Sequence, residues 1–380
     1  MARHRLTGES GLMYKESDLV RIAKRENNKK RSYLVINQKQ GKHIPVSPGE
    51  AFAMFHDLAD LLREPYRDER LLVIGFAETA TAIGASVAVD LHAAYMQTTR
   101  EEIPGAGYLY FSESHSHAVE QRLVRDDLFA AMNGTDRIIF VEDEVTTGNT
   151  ILSAIESIEM CLGYRVKFSV ASLLNGMDAA AEKEYENRGI SLHYLVKTDH
   201  KAYQSQAEKY RGDGLYKEPQ VQPFLRPMRT LAPSGYLDTR RLQHAERYLA
   251  ACEEMSRQVL SGIAADTGKR YLVLGTEEFM FPGLFLANRL EEAGCIVRFH
   301  ATTRSPIAVS REPDYPLHVR YELCSMYEKG RRTFLYDLAP YDEIIVVCDA
   351  PEATEEGINS LLHALWESGN RHITSVRWHG

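Results

Sequence analysis

Short apolar runs alternate with amphipathic segments along the first half of the chain. Residues 71–74 and 138–141 are uninterrupted runs of branched apolar or aromatic residues, and 166–174 is a third apolar segment. Such runs are typical of strands buried on both faces of a parallel sheet. Apolar residues at positions 52, 55, 58 and 62, and again at 151, 155, 158 and 162, recur at the spacing of an amphipathic helix. This alternation predicts an α/β fold with a parallel, Rossmann-like sheet.

The second half of the chain repeats landmarks of the first half in the same order. Three pairs recur at a nearly constant offset: Leu-Val-Ile-Gly at 72–75 with Leu-Val-Leu-Gly at 272–275, Thr-Thr-Arg at 98–100 and 302–304, and Asp-x-Ile-Ile at 136–139 and 342–345. An internal duplication accounts for this pattern. The alternative is the general likeness of any two α/β domains. A stretch rich in Pro and Gly at 211–235 separates the copies. We therefore predict domains at 1–228 and 229–380, the second a degenerate copy of the first.

The N-terminal region is basic and contains a predicted hairpin. Residues 21–31 carry six Lys or Arg side chains, which indicates a solvated arm, with an anion or RNA contact as the alternative. Residues 33–36 and 41–46 flank a polar turn and are predicted to pair as a hairpin. Lys42 and His43 then either contribute to a hood over a ligand or only form the edge of that hairpin.

A long segment without periodicity, about residues 101–120, is predicted to be a lid, because loops of this length in compact domains are usually functional. It contains His115 and His117. Three interpretations stay open for them: a zinc pair, a lid that protonates or contacts a phosphate, and exposed loop residues. We favour the lid. Arg100, just before the loop, either pairs with an anionic ligand or forms a surface ion pair with one of the two glutamates that follow it.

Composition narrows the class of protein further. The chain has 380 residues, of which 44% are hydrophobic and 26% charged, so it can form real cores. A net charge of −8 argues against broad nucleic-acid binding. The five scattered cysteines are expected to be free thiols. With neither a signal-peptide pattern nor a membrane-spanning run, we expect a cytoplasmic protein without membrane contact.

Two acids and a turn rich in Thr and Gly follow the strand at 138–141. Unpaired N–H groups and the dipole of the next helix would attract an anion there, and Gly148 lets the backbone approach it. Glu142 and Asp143 suit the vicinal hydroxyls of a sugar, or a metal. A phosphate site beside a diol site describes a ribose 5-phosphate. The alternative is a plain strand–turn–helix connection capped by threonine.

The run 141–150, Val-Glu-Asp-Glu-Val-Thr-Thr-Gly-Asn-Thr, resembles the phosphoribosyl-pyrophosphate (PRPP) motif of type I phosphoribosyltransferases, with Glu142 in place of the more usual Asp. Thr-Arg-Ser-Pro at 303–306 spells the sequence that names the TRSP domain. Segments 41–48, 75–80 and 115–118 resemble its usual partner, an orotate-phosphoribosyltransferase-like domain. The resemblance covers nearly the whole chain. It implies the type I phosphoribosyltransferase fold, with a hood at about residues 1–50.

The resemblance implies transfer of the 5-phosphoribosyl group from PRPP to a base or base-like acceptor, with release of pyrophosphate. Its candidate catalytic residues are Glu142, Asp143, Arg100, His115 and His117. Its candidate PRPP-binding residues are Thr146, Thr147, Gly148, Asn149 and Thr150, with Ala77, Glu78, Thr79 and Ala80 as the pyrophosphate loop. Mg²⁺ is the implied cofactor, held through pyrophosphate rather than by a direct protein site, with Glu142 and Asp143 as candidate protein ligands. A carboxylate at Glu78 would repel pyrophosphate unless it binds the metal or faces away.

Proteins of this kind are associated with bacterial tellurite-resistance and stress gene clusters and with synthesis of a nucleotide-like metabolite, and by analogy we expect a homodimer. The alternative to an enzyme is a non-catalytic regulator that senses PRPP or a nucleotide. A kinase similar to PRPP synthetase is disfavoured because the chain has no Walker sequence. The second copy has Cys348, Pro351 and Glu352 in its corresponding turn, so we do not expect it to bind PRPP in the same way.

Overall fold

The computed structural model describes residues 14–26, 31–111 and 121–380. The helices are α1 Glu16–Leu19, α2 Pro48–Arg63, α3 Thr81–Asp90, α4 Arg125–Met132, α5 Asn149–Leu162, α6 Ala179–Asn187, α7 Tyr203–Glu208, α8 Ala245–Ile263, α9 Phe281–Glu292 and α10 Glu355–Glu367, with a 3₁₀ turn at His200–Ala202. The strands of the first half are β1 Val20–Lys24, β2 Tyr33–Asn37, β3 Leu71–Gly75, β4 Ala94–Gln97, β5 Tyr108–Phe111, β6 Gln121–Val124, β7 Arg137–Val145, β8 Lys167–Asn175 and β9 Ser191–Lys197. Those of the second half are β10 Leu215–Lys217, β11 Arg229–Leu231, β12 Gln243–His244, β13 Arg270–Gly275, β14 Ile296–Ala301, β15 Val319–Cys324, β16 Arg332–Tyr336, β17 Glu343–Cys348 and β18 Ile373–Arg377.

The first domain is built on a six-stranded sheet in the order β12-β4-β3-β7-β8-β9, and all its strands except β12 are parallel. Every residue of β3 is buried, as are Ile138 to Val141 in β7, which explains their continuous apolar sequence. The carboxyl ends of β3 and β7 lie side by side, with Gly75 opposite Val141. The predicted parallel α/β fold is confirmed.

The second domain repeats this arrangement. Its five-stranded sheet has the order β11-β18-β17-β13-β14 and is parallel throughout, and β10, β15 and β16 form a smaller sheet. The turn after the first core strand is held by the same bond in both domains: the N–H of Ala77 donates to Thr98 Oγ1 at 2.8 Å, and that of Glu277 donates to Thr302 Oγ1 at 2.9 Å. These equivalent bonds support the duplication that the sequence predicts.

The two domains exchange strands and share one apolar core. Strand β12, which lies beyond residue 228, pairs with β4 of the first domain. Strand β10, which lies before residue 228, pairs with β15 of the second domain. The N–H and C=O of Val46 both bond to Phe299 in β14. Residues 41–46 therefore do not pair with β2 as predicted. Strand β2 pairs instead with β1, most of which lies in the segment expected to be a solvated arm. This part of the segment is not solvated, because residues such as Ile22 on β1 and Ile36 on β2 are buried against the rest of the protein.

Buried charges lie between the domains, and we call them the interdomain charge cluster: Lys42, Glu78, Glu101, Glu277, Glu278, Arg304 and Arg331. Lys42 is 0% exposed, and its Nζ lies 2.7 Å from Glu78 Oε1. The same ammonium donates to the carbonyls of Glu277 and Thr302, both at 2.9 Å. The expectation that Lys42 forms a hood or a hairpin edge is wrong, since it joins the domains.

All five cysteines are free thiols, as expected. Within the described ranges, none of the helices combines the length and the apolar composition that crossing a lipid bilayer demands.

Replacing Lys42 by Met should lower the free energy of unfolding by about 3–5 kcal/mol, because the change removes one partner of a buried ion pair and leaves two carbonyls without a donor. Denaturant unfolding measures this loss. Lys39→Met is the matched control, since Lys39 makes a surface pair with Glu50 at 3.4 Å and should change stability by less than about 1 kcal/mol. Equal stability of Lys42→Met and the unsubstituted protein would contradict the proposed importance of this contact.

Candidate active site

The turn between β7 and α5 has the backbone shape of an anion site. Gly148 has φ +74°, and a Cβ at this position would lie 2.4 Å from the hydroxyl oxygen of Tyr185 and 2.5 Å from Met177 Cε. The Tyr185 hydroxyl also donates to the carbonyl of Gly148 at 2.7 Å. Only glycine fits both the left-handed conformation and the space. The turn thus directs the N-terminus of α5 toward the carboxyl end of β7.

A cavity of about 430 Å³ opens at this end of the sheet. It brings together most of the predicted residues: Glu142, Asp143, the whole run 146–150, Ala77, Glu78, Thr79 and Arg100. Ala80 does not line it, and its N–H donates to the carbonyl of Phe76 at 2.9 Å, so it closes the loop instead. His115 and His117 lie outside the described residues. Arg25, Arg31, Glu144 and residues 304–306 also line the cavity.

The two acids of the turn are half-buried and line the cavity. Burial raises the pKa of Glu142 well above its usual range, and the neighbouring Asp143 raises it further. Burial also raises the pKa of Asp143, to about 6, although Thr79 Oγ1 donates to its Oδ1 at 2.8 Å. Within the described part of the chain, neither acid forms an ion pair. Such carboxylates suit ligand hydroxyls or a cation that arrives with the ligand.

Glu144 is the centre of a second polar cluster, which it forms with Arg31, His200 and Tyr33. Arg31 Nη2 lies 2.7 Å from Glu144 Oε2, and His200 Nε2 lies 3.4 Å from its Oε1. Tyr33 shares a 2.9 Å hydrogen bond with His200 Nδ1. Burial lowers the pKa of His200 to about 4, so the ring is neutral at pH 7. Sequence reasoning missed these residues because Glu144 is at a variable motif position and its partners are distant in sequence.

Glu78 faces the interdomain charge cluster. It pairs with Lys42 at 2.7 Å and with Arg304 Nε at 3.2 Å. Burial would raise its pKa, but these two cations lower it to about 2. The repulsion expected between Glu78 and an anion in the cavity is therefore largely neutralised.

Arg100 enters the cavity without the surface ion pair that was its alternative. Its backbone N–H donates to Glu278 Oε1 at 2.9 Å. The two glutamates that follow it pair elsewhere: Glu101 with Arg304 at 2.6 Å, and Glu102 with Arg122 at 3.8 Å. Arg100 Nε is buried and has no hydrogen-bond partner among the described residues. A buried donor of this kind is available to a ligand oxygen.

The corresponding position of the second domain is filled by side chains. Asp349, the counterpart of Asp143, accepts from Arg240 Nη1 at 2.6 Å. It also accepts from the hydroxyls of Tyr236 at 3.0 Å and Tyr327 at 2.7 Å. Cys348 stands where the first domain has Glu142. The second copy thus holds its own arginine where the first has an open cavity.

A parallel sheet whose central strand ends in two acids, followed by a Thr/Gly turn at a helix N-terminus, defines the type I phosphoribosyltransferase fold, here followed by a second α/β domain. Residues 19–202 match the family described as phosphoribosyl transferase (PRTase_2). Residues 238–365 match the TRSP domain, described as C-terminal to PRTase_2. The chain belongs to this family: a phosphoribosyltransferase domain followed by a TRSP domain.

Solved structures similar to this chain include adenine phosphoribosyltransferases. The enzyme from Rhodothermus marinus DSM 4252 is 15% identical, covers 48% of this chain and 96% of its own, and has a TM-score of 0.35. That from Giardia lamblia, complexed with 9-deazaadenine, is 15% identical over 48% of this chain and 95% of its own, with a TM-score of 0.34. The enzyme from Trypanosoma brucei, in complex with AMP, pyrophosphate and ribose-5-phosphate, is 15% identical, covers 50% of this chain and 81% of its own, and has a TM-score of 0.35. Comparison with curated proteins gave no match.

Asp143→Asn should stabilise the ligand-free protein above about pH 6. The pKa of Asp143 is raised from 3.8 to about 6 on folding, so its ionised form opposes folding as pH rises through that window. We expect the substitution to raise the free energy of unfolding by about 1–3 kcal/mol at pH 8, with the gain fading toward pH 4. Urea unfolding at several pH values measures it. Asp68→Asn, on an exposed side chain, is the control. A gain that does not depend on pH would count against an uncompensated carboxylate.

Proposed function

We propose that this protein transfers the 5-phosphoribosyl group of PRPP to a base or base-like acceptor and releases pyrophosphate. One observation supports this most: two half-buried acids, without ion pairs among the described residues, lie beside a helix N-terminus that Gly148 opens to an anion. Ribose 5-phosphate carries both groups that such a site would bind: its 2- and 3-hydroxyls suit the two acids, and its 5-phosphate suits the helix N-terminus.

In this proposal Glu142 and Asp143 accept hydrogen bonds from the ribose 2- and 3-hydroxyls. Their negative charge also stabilises the positive charge that develops at the anomeric carbon as pyrophosphate leaves. Thr146 to Thr150 bind the 5-phosphate with backbone N–H groups and hydroxyls. The site holds sugar and leaving group in one geometry, which lowers the entropic part of the barrier.

The pyrophosphate would lie between the loop 77–79 and Arg100, whose guanidinium suits bidentate contact with phosphate oxygens. Ala80 supports this loop from behind. The lid histidines His115 and His117 remain proposed contacts to the leaving group. Ion pairs neutralise Glu78, so this carboxylate does not have to bind a metal.

Mg²⁺ is the proposed cofactor. Two carboxylates without cationic partners, Glu142 and Asp143, fit a divalent ion carried by PRPP, whose own oxygens would supply its remaining ligands. Among the described residues, no group of three or more His, Cys, Asp or Glu side chains could hold a metal by itself. When bound, the ion would neutralise charge on the pyrophosphate.

The wider role is proposed from family resemblance. It comprises a cytoplasmic, homodimeric enzyme of nucleotide metabolism that acts in tellurite resistance or stress, with domains at 1–228 and 229–380. A regulator that binds PRPP without chemistry is the alternative, and turnover separates the two.

Protein incubated with Mg²⁺, PRPP and a panel of bases or cell extract should release pyrophosphate in an acceptor-dependent way. Asp143→Asn should lower this turnover at least 100-fold, because it removes a charge next to the developing cation. The exposed Asp68→Asn should retain full turnover. PRPP binding without release by any acceptor would favour the regulator, and unchanged turnover in Asp143→Asn would rule out the assigned site.

Gly148→Ala should weaken binding of ribose 5-phosphate at least tenfold, because the added Cβ collides with Tyr185 and Met177 under the phosphate turn. Gly163→Ala, at the other end of α5, is a matched control: its φ is +75°, and nothing lies within 4 Å of the added Cβ. Both variants should lose about 1 kcal/mol of stability from the left-handed backbone, and Gly148→Ala should lose more because of the collision. Calorimetry measures the affinities, and equal binding by the two variants would contradict a phosphate site at 146–150.

A further inference from the structure

The second domain forms one wall of the cavity. Arg304, Ser305 and Pro306, three residues of the TRSP sequence, line it together with the PRPP motif of the first domain. We infer that Arg304 binds the pyrophosphate end of PRPP, so that the TRSP domain completes the site. This inference rests on the proposed function and extends it with a residue from the other domain.

Backbone pairing fixes the segment that carries Arg304. The N–H of Glu26 donates to the carbonyl of Pro306 at 3.0 Å, and that of Ala308 donates to the carbonyl of Lys24 at 2.9 Å. The segment therefore pairs with the end of β1 in an antiparallel arrangement. The N–H of Arg304 itself donates to Glu78 Oε1 at 3.1 Å. Its main chain is thus tied to the pyrophosphate loop on one side and to β1 on the other.

Four carboxylates hold the Arg304 side chain. Its Nε lies 2.9 Å from Glu277 and 3.2 Å from Glu78, and its Nη2 lies 2.6 Å from Glu101 and 3.3 Å from Glu278. Burial opposes the charge, yet these acids raise the pKa of Arg304, so it is fully cationic. These contacts use Nε and Nη2 only. Nη1 is buried and has no hydrogen-bond partner within the described ranges.

The two arginines that carry these unused donors line the same cavity. Arg100 and Arg304 occupy equivalent positions after the Thr-Thr sequences of the two domains, and both line the cavity. Arg100 Nε, like Arg304 Nη1, is a buried donor without a described partner. Burial lowers the pKa of Arg100, and the charge of Arg304 lowers it further, which shows that the two guanidiniums repel. A diphosphate would relieve the repulsion and accept from both donors.

A purely structural role is the competing explanation, and Arg331 provides the control. Arg331 Nη1 pairs with Glu101 at 2.5 Å and with Glu277 at 3.1 Å, so it belongs to the same charge cluster. Its side chain is 13% exposed against 11% for Arg304. Arg331 does not line the cavity. Loss of either arginine should therefore cost stability, whereas only loss of Arg304 should change the binding of a diphosphate.

The test is calorimetric binding of PRPP with Mg²⁺, and separately of ribose 5-phosphate, to the full-length protein and its variants. Arg304→Gln should weaken PRPP binding about tenfold or more and leave ribose 5-phosphate within about twofold. Arg331→Gln should change neither affinity, although the thermal midpoint should fall in both variants. Arg304→Lys keeps the charge among the glutamates but lacks the planar fork. It should also weaken PRPP selectively, and it serves as the test if Arg304→Gln does not fold.

The inference is overturned if Arg304→Gln binds PRPP as the unsubstituted protein does. It is equally overturned if both ligands weaken to the same extent, or if Arg331→Gln loses PRPP binding as Arg304→Gln does. Failure of the unsubstituted protein to bind either ligand would instead refute the proposed function, and the inference with it. The two failures are therefore distinguishable in one set of titrations.

Discussion

Glu78 and Glu278 are carboxylates buried at the junction of the two domains, and a buried charge is tolerated only where partners neutralise it. Each carboxylate accepts a hydrogen bond from a backbone N–H of the opposite domain. Glu78 accepts from the N–H of Arg304, and Glu278 accepts from the N–H of Arg100. Separating the domains would break these bonds and would leave Glu78 with Lys42, and Glu278 with Arg240 and Arg304, as their cationic partners among the described residues. The position of the loop at residues 77–80, and thus the shape of the cavity, depends on these contacts.

The exchange has the form of a two-fold interface within a single chain. Glu78 and Glu278 are equivalent residues of the two copies, as are Arg100 and Arg304, and each contact is matched by its counterpart. The two copies therefore have equivalent positions at the carboxyl ends of their sheets. Here the second site has closed around Arg240. One copy retains the cavity, while the other contributes a wall to it.

The sequence predicts those features of the structure whose contacting residues are close together along the chain. The strand–turn–helix at 137–162 is correctly predicted because its apolar strand, Gly148 and helical spacing are all local signals. The repeat also predicts the second sheet. The burial of Lys42 could not be predicted, since its partners Glu277 and Thr302 are more than 200 residues away. The pairing of β1 with β2, in a segment that looks solvated, depends on similarly distant contacts.

Contacts between residues far apart in sequence also offset two carboxylates in the cavity, Glu142 and Asp143, whose charges oppose folding. Glu142 and Asp143 are desolvated without an ion pair among the described residues, and each destabilises the ligand-free fold when ionised. Local packing around the turn does not compensate for them, because both acids line an open cavity. The shared apolar core, and the ion pairs that Arg304 and Arg331 make with Glu101 of the other domain, supply stability from outside the turn. The second domain thereby makes an open, acidic cavity compatible with a stable fold.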